Sequence, residues 1–392
     1  MAAPPARRAL PATVWTLGLV SLFMDTSSEL VHSVLPLFLA GTLGLSMGVI
    51  GGLEGAAEAT AQFAKLFSGY LSDRMERRKP WILFGYGLAA ATKPLFPLAH
   101  GVALVAAARF IDRIGKGIRG APRDALLASV TPPEQRGAAF GLRQSLDTVG
   151  AVCGPLAAAG LLILYAGNMR AVLWWAVVPA VLCVLTIILL LREPDAPVAI
   201  ESKPRLSLRD AARLPGSFWL TVAAASVLTL ARFSEAFLIL RGTNVGLTLA
   251  AAPMVLVAMN VVYTLSSYPA GALSDRLGRK GLLVAGTATL IAADAALAIG
   301  SLPAFAAGVA LWGLHMGLTQ GLLSAMIADA APAQQRGTAF GAYNAVTGVA
   351  LLLSSTLAGL LWDRFGAGTT FIAGAAISLV ALVLIAARPQ PR

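Results

Sequence analysis

Residues 109–124 read RFIDRIGKGIRGAPRD, with seven charged side chains in sixteen positions: Arg109, Asp112, Arg113, Lys116, Arg119, Arg123 and Asp124. In a soluble chain such a run, with glycines spaced through it, would suggest a basic cradle for phosphate. The surroundings exclude that. Of the 392 residues, 57% are hydrophobic and only 12% charged, against roughly 45–50% and about 25% in soluble domains. Mean hydropathy is +0.76. The chain is a membrane protein, and the charged stretch has to be placed inside it. Central charges facing lipid cost about 2.5–3.5 kcal/mol each, so Arg109, Asp112, Arg113 and Lys116 together would cost roughly 10 kcal/mol or more. At about 100° per residue the charged positions fall within roughly 140° of arc. The stretch therefore reads as a transmembrane helix whose charged stripe faces the bundle interior or a water-filled cavity.

Long apolar runs lie on both sides of it. At about 20 residues or more per span, helices fall near 12–40, 46–73, 79–97, 101–127, 136–163, 169–192, 217–242, 248–275, 280–299, 303–329, 336–363 and 368–387. That makes twelve, with 109–124 in the fourth. Alternate loops hold Arg74, Arg77, Arg78 and Lys79, then Arg136, then Lys203, Arg205, Arg209 and Arg213, then Arg276, Arg279 and Lys280, then Arg336. The opposite loops hold little beyond Arg170 and Arg364. By the positive-inside rule the first set is cytoplasmic, as are both termini, which suits a bacterial-type inner (plasma) membrane. The net charge of +11 lies mostly in these short loops, so it sets topology rather than marking a nucleic-acid partner. The apolar run after the basic N-terminal flank carries Asp25 and Glu29 and continues to about Leu39, too long for a signal-peptide core, and reads as a retained first span. Cys153 and Cys183 show no metal-ligand spacing and read as small buried fillers. No metal site or cofactor is expected.

The chain repeats itself. GYLSDRMERRK at 69–79 is echoed by GALSDRLGRKG at 271–281, and QRGAAFG at 135–141 by QRGTAFG at 335–341. Both offsets are about 200 residues, so two six-span halves, 1–192 and 216–392, share a plan across a cytoplasmic linker at 193–215. An even number of spans per half makes this a parallel repeat about an axis normal to the membrane.

These motifs resemble the major facilitator superfamily over nearly the whole chain. The loop between spans two and three in that family reads GxLaDrxGrk. Gly69, Leu71, Asp73, Arg74, Arg77 and Arg78 match it, with Glu76 in place of a glycine; Gly271, Leu273, Asp275, Arg276, Gly278, Arg279 and Lys280 match throughout. The resemblance implies a charge network at the cytoplasmic gate. The family's antiporter motif in span five, GxxxxxxxxGxxxGPxxGG, is met at Gly141, Gly150, Gly154 and Pro155, with Ala158 and Ala159 replacing the last glycines. Its presence implies the efflux branch, drug/proton antiporters. A third pattern, roughly RxxqGxg in span four, is met by Arg109 but departs at Asp112 and Arg113. The resemblance thus implies an all-α polytopic fold of twelve helices in two halves related by a pseudo-two-fold axis.

The interior charges supply the candidate site. Span one offers Asp25, Glu29 and His32, span two Glu54, Glu58 and Lys65, and span five Arg143 and Asp147. Rise from each span's midpoint puts Asp25 level with Arg113, and Glu29 level with Arg109 on the periplasmic side by very roughly 5–8 Å, which makes those the expected pairings. Glu54 and Glu58 could bind a cation, carry a second proton, or neutralise Lys65 and Lys93. The proton-coupling candidates are Asp25, Glu29, Arg109, Asp112 and Arg113. The cavity candidates are His32, Glu54, Glu58, Lys116, Arg143, Asp147, Arg232, Glu235, Asn260, Tyr263, His315, Gln320 and Asn344. The second half is poorer in charge, so coupling is expected in the first half, with the second shaping the cavity.

The expectation is a secondary active transporter, working as a monomer in the lipid bilayer, that exports a small solute in exchange for protons. The cations of span four favour a solute with negative charge, such as an organic acid, a siderophore or a metal chelate; a lipophilic drug is the other export possibility. Proton-coupled import of an anion and a transport-inactive receptor are the alternatives. No GxxxxGK[ST], HExxH or GxSxG pattern occurs, so an enzyme is a poor fit.

Overall fold

The computed structural model describes residues 10–72, 77–193, 214–332 and 335–387. Among these residues every regular element is a helix, and the helices group into twelve spans. Span one is Ala12–Leu37, continued by a wide helical turn at Phe38–Thr42, and span two is Met47–Ser72. Span three is Lys79–Thr92 with a short continuation at Leu95–Leu98, span four Val102–Val130, span five Arg136–Leu164, and span six Met169–Trp174 plus Val177–Leu190. Span seven is Gly216–Ala231 plus Ala236–Asn244, and spans eight to twelve are Met254–Leu277, Arg279–Ala298, Leu302–Ala330, Arg336–Phe365 and Ala367–Ala386.

Seven of these, spans five, six, seven and nine to twelve, are long and apolar enough to cross a membrane on composition alone. Spans one, two and four fall short because they carry the interior charges. Span three breaks at Lys93–Pro94, where the proline ring removes a backbone donor from the helix ladder. Span seven, expected to be continuous, breaks at 232–235 without any proline or glycine. Cys183 is buried as expected, but Cys153 lies exposed on span five; the filler reading fails there because Cys153 sits on the outer face of that helix.

Within the first half, span one lies along span five, and span two along span four. The contact is close because small residues meet backbone. A Cβ on Gly150 would lie 2.7 Å from Leu22 O, and one on Gly154 would lie 2.6 Å from Thr26 O. On span four, a Cβ on Gly115 would lie 2.6 Å from Gly85 O of span three. The two halves meet chiefly along spans two and eleven, and less extensively along spans five and eight. Spans two and eleven touch through glycines: side chains on Gly51 or Gly359 would run into Ser355 O and Met47 O, and a Cβ on Gly55 would lie 2.9 Å from Leu352 Cα. At the end of the bundle where span two begins, Asp363 of span eleven accepts hydrogen bonds from the Met47 and Gly48 amides at 2.9 and 2.7 Å. This far end is closed. The opposite end, the linker end, holds Arg78, Glu193 and Leu214.

Candidate functional site

The stripe of span four is turned inward. Arg109, Asp112, Arg113 and Arg119 are buried, Lys116 is half-buried, and Ile111 and Ile114 lie on the exposed face. Each buried charge has a specific partner. Arg109 holds Glu54 of span two with two hydrogen bonds, Nε to Oε1 at 3.2 Å and Nη2 to Oε2 at 2.6 Å. Arg113 Nη2 meets Glu58 Oε1 at 2.7 Å. Lys93 donates to Asp112 Oδ1 at 2.8 Å and to Ser28 Oγ at 3.1 Å. Arg119 stacks over the Tyr86 ring, its guanidinium carbon 4.5 Å from the centroid.

The expected pairings of Asp25 with Arg113 and Glu29 with Arg109 are therefore replaced. Depth along the membrane normal does not say which helices are neighbours. Span four packs broadly against span two and barely against span one, so the carboxylates at i and i+4 on span two reach the arginines at i and i+4 on span four. Of the two lysines, Lys65 and Lys93, offered as one alternative set of partners for Glu54 and Glu58, Lys93 pairs with Asp112 instead.

Two cavities lie between the halves. The first, about 310 Å³, is lined by Glu29, His32, Glu58, Gln62, Arg113 and Lys116 from the first half, and by Arg232, Phe233, Ser234, Glu235, Asn260 and Trp312 from the second. The second, about 420 Å³, lies toward the linker end and is lined by Asp25, Glu29, Lys65, Lys116, Arg119, Arg123, Gln144, Asp147, Asn260 and Tyr263 among others. Glu29, Lys116 and Asn260 belong to both walls. Lys65 and Gln144 on the second wall are exposed. Among the described residues the side chains of Asp25, Lys116, Arg232 and Glu235 have no hydrogen bond or ion pair, while Glu29 is 3.3 Å from His32 Nδ1.

The break in span seven puts four consecutive residues, Arg232 to Glu235, on the first cavity's wall. A break at this depth frees backbone groups that lipid cannot satisfy. Span eleven supplies partners: Ser355 Oγ accepts from the Ser234 amide at 3.0 Å, and Ser354 Oγ donates to Arg232 O at 3.3 Å. The sequence singled out Arg232 and Glu235 as charges but gave no sign of the break.

The other candidates divide. Arg143 pairs with Asp147 at 2.6 Å on span five. Tyr263 donates to Gln320 Oε1 at 3.3 Å. His315 turns away from the cavities, its Nδ1 2.8 Å from Gly286 O, and Asn344 lies off both walls. Arg109, Glu54 and Asp112 are also off both walls. At the linker end, Glu193 accepts from the Arg78 and Lys79 amides at 2.6 and 3.1 Å, capping span three, while Lys79 Nζ donates to Leu191 O at 2.7 Å. The repeat reproduces the lysine contact, Lys280 Nζ donating to Ala386 O at 2.7 Å, and there Arg279 pairs with Asp329. Asp73 and Arg74 and the linker from 194 to 213 lie outside the described residues, as do the surroundings of Gly69 and the side chains of Asp275 and Arg276. Gly278 takes φ +76°, which only glycine adopts readily, between spans eight and nine. Gly150, Gly154 and Pro155 are buried, while Gly141 and Gly271 meet nothing within 4 Å. Sequence reasoning missed Asp294, Asp363 and Glu193.

The profile of the Major Facilitator Superfamily matches residues 17–240 and 228–392. The chain belongs to this superfamily. Its relatives include an uncharacterised MFS-type transporter of Methanocaldococcus jannaschii, 28% identical over 96% of this chain and 95% of that one. The multidrug resistance protein MdtH of Aeromonas hydrophila is 31% identical over 38% of this chain and 37% of its own. Among solved structures of the superfamily, the nucleoside transporter NupG superposes with a TM-score of 0.80 at 14% identity, over 96% of this chain and 99% of that one. The protein is thus a multi-pass membrane transporter of the MFS type, and its superfamily and fold point to transport of a small molecule rather than to an enzyme.

Proposed function

We propose that this transporter exports a small organic solute in exchange for protons, and that the solute is dipolar, with a negative group held by Lys116 and Arg232 and a positive group facing Glu29, Asp25 and Glu235. One observation carries the reading. The first cavity sets three carboxylates against three cations, and Lys116, Arg232 and Glu235 among them are uncommitted.

The sign of coupling follows from the solute's charge. A proton on Asp25 or Glu29 removes the negative charge that a cationic group needs, so proton and cationic group exclude each other, which is antiport. For a purely anionic solute the same proton would strengthen binding at Lys116, which is symport. The glycines and proline of span five support the efflux reading, as does the partial match to MdtH. Cytoplasmic placement of the linker end, read from Lys and Arg, makes this an inward-facing form, with Lys116 and Arg232 joining a bound solute to both halves before they rock.

The test is flux in proteoliposomes under an imposed pH gradient, with a panel of dipolar and anionic solutes and a protonophore control. Solute should move against the proton flow and stop with the protonophore. Movement with the protons would make the protein an importer of anions, and binding without flux would make it a receptor.

A further inference from the structure

Asp294 stands alone in the apolar core of the second half. It lies on span nine, its residue is 0% exposed, and neither carboxylate oxygen has a hydrogen-bond partner among the described residues. Its place is a notch in span twelve: a Cβ on Gly374 would lie 2.7 Å from Asp294 Oδ2 and 3.2 Å from the Phe233 ring. One turn further along span twelve, Ser378 is also fully buried, and its hydroxyl is without a partner. The glycine makes room for an acid, and the same helix brings a second orphaned oxygen toward it.

Among the described residues no cation pairs with this carboxyl. Span twelve carries no titratable side chain from Ala367 to Ala386. Span ten contributes His315, which is committed through Nδ1 to Gly286 O, two turns away along span nine. On span seven, Arg241 donates to Leu297 O, Ala298 O and Asn244 Oδ1 at 2.9, 3.1 and 2.5 Å, capping the end of span nine one turn beyond Asp294. Arg232 and Glu235 border the cavity on the other side of Phe233, and Tyr263 of span eight bonds to Gln320. An ionised carboxylate in such a place would be an uncompensated buried charge, and groups so placed neutralise instead.

We propose that Asp294 is a proton-binding site of the second half, neutral in this conformation and emptied when span seven rearranges. Phe233 gives the coupling a physical basis. It belongs to the broken segment of span seven, lines the first cavity, and stacks with Trp312 and Phe371 at 5.4 Å between centroids. Solute contacts on Arg232, Ser234 or Glu235 therefore press on the residue that covers the acid. Movement of that segment would admit water or a cation to the carboxyl and release its proton. The assignment does not depend on the direction of transport proposed above, because a bleached band reports loss of the proton whichever way solute moves.

The experiment is infrared difference spectroscopy of the reconstituted full chain at neutral pH, wild type against Asp294→Asn, repeated while the transporter cycles. The wild type should show a protonated carboxyl stretching band that is missing in Asp294→Asn, and cycling should bleach it. Asp294→Glu, which keeps an acid in the notch, should shift the band, and serves if the asparagine variant does not fold. An ionised carboxylate at this position at neutral pH, or a band unchanged through cycling, would overturn the proposal.

Discussion

The two halves share a plan and solve the problem of interior charge differently. In the first half, charge is abundant and matched: Glu54 with Arg109, Glu58 with Arg113, Asp112 with Lys93. In the second half, interior charge is sparse, and among the described residues Asp294 and the Nε2 of His315 have no hydrogen-bond partner, while Arg241 caps carbonyls. The second half instead spends a helix break at 232–235 to bring polar groups to the cavity. The comparison separates two jobs. The pairs of the first half fix helices to one another, and in the proposed function the unpaired side chains beside them, Asp25 and Lys116, are the ones that meet protons and solute.

If the paired charges are framework, removing one partner should cost stability most where burial is deepest. Glu54→Ala leaves Arg109 without its carboxylate at a site where the glutamate side chain is 0% exposed, and should destabilise by about 3–5 kcal/mol, read from unfolding in detergent. Glu58→Ala should cost less, because that side chain is 30% exposed to the cavity. Equal losses would break the ranking. Asp294→Asn replaces a neutral acid with a neutral amide, and should leave stability nearly unchanged.

The seam between the halves gives a smaller effect with a different readout. Gly51→Leu puts a side chain where Ser355 O now sits, so the far end should open and a cysteine placed there should label several-fold faster. Asp363→Ala removes the acceptor of the Met47 and Gly48 amides. Loss of such a cap costs about 1 kcal/mol, or roughly a five-fold shift toward the open far end at that energy. Unchanged labelling in both variants would show that spans two and eleven do not control closure.

Much of this could be read from the sequence because periodicity and repetition are local signals. The inward stripe of span four follows from the spacing of Arg109, Asp112, Arg113 and Lys116, and the two halves follow from the echo of 69–79 in 271–281. Partner choice was beyond that reasoning, since depth alone made Asp25 and Glu29 as suitable for the arginines as Glu54 and Glu58. The break in span seven carries no proline or glycine, and its backbone groups are satisfied by Ser354 and Ser355, about 120 residues later in the chain. Asp294 escaped notice because an isolated acid in an apolar run has no partner spacing to mark it.

The central claim is that Asp25 and Glu29, which no arginine or lysine holds, couple protons while the carboxylates paired with arginine or lysine hold the fold. The most direct test measures pH-gradient-driven flux for Asp25→Asn and Glu29→Gln beside the double variant Glu58→Gln with Arg113→Gln, which removes a pair without leaving a lone charge. The account predicts that the first two lose gradient-driven flux while still exchanging solute across the membrane, and that the double variant keeps its response to the gradient. Full gradient-driven flux in Asp25→Asn and Glu29→Gln, with loss of coupling in the double variant, would contradict it.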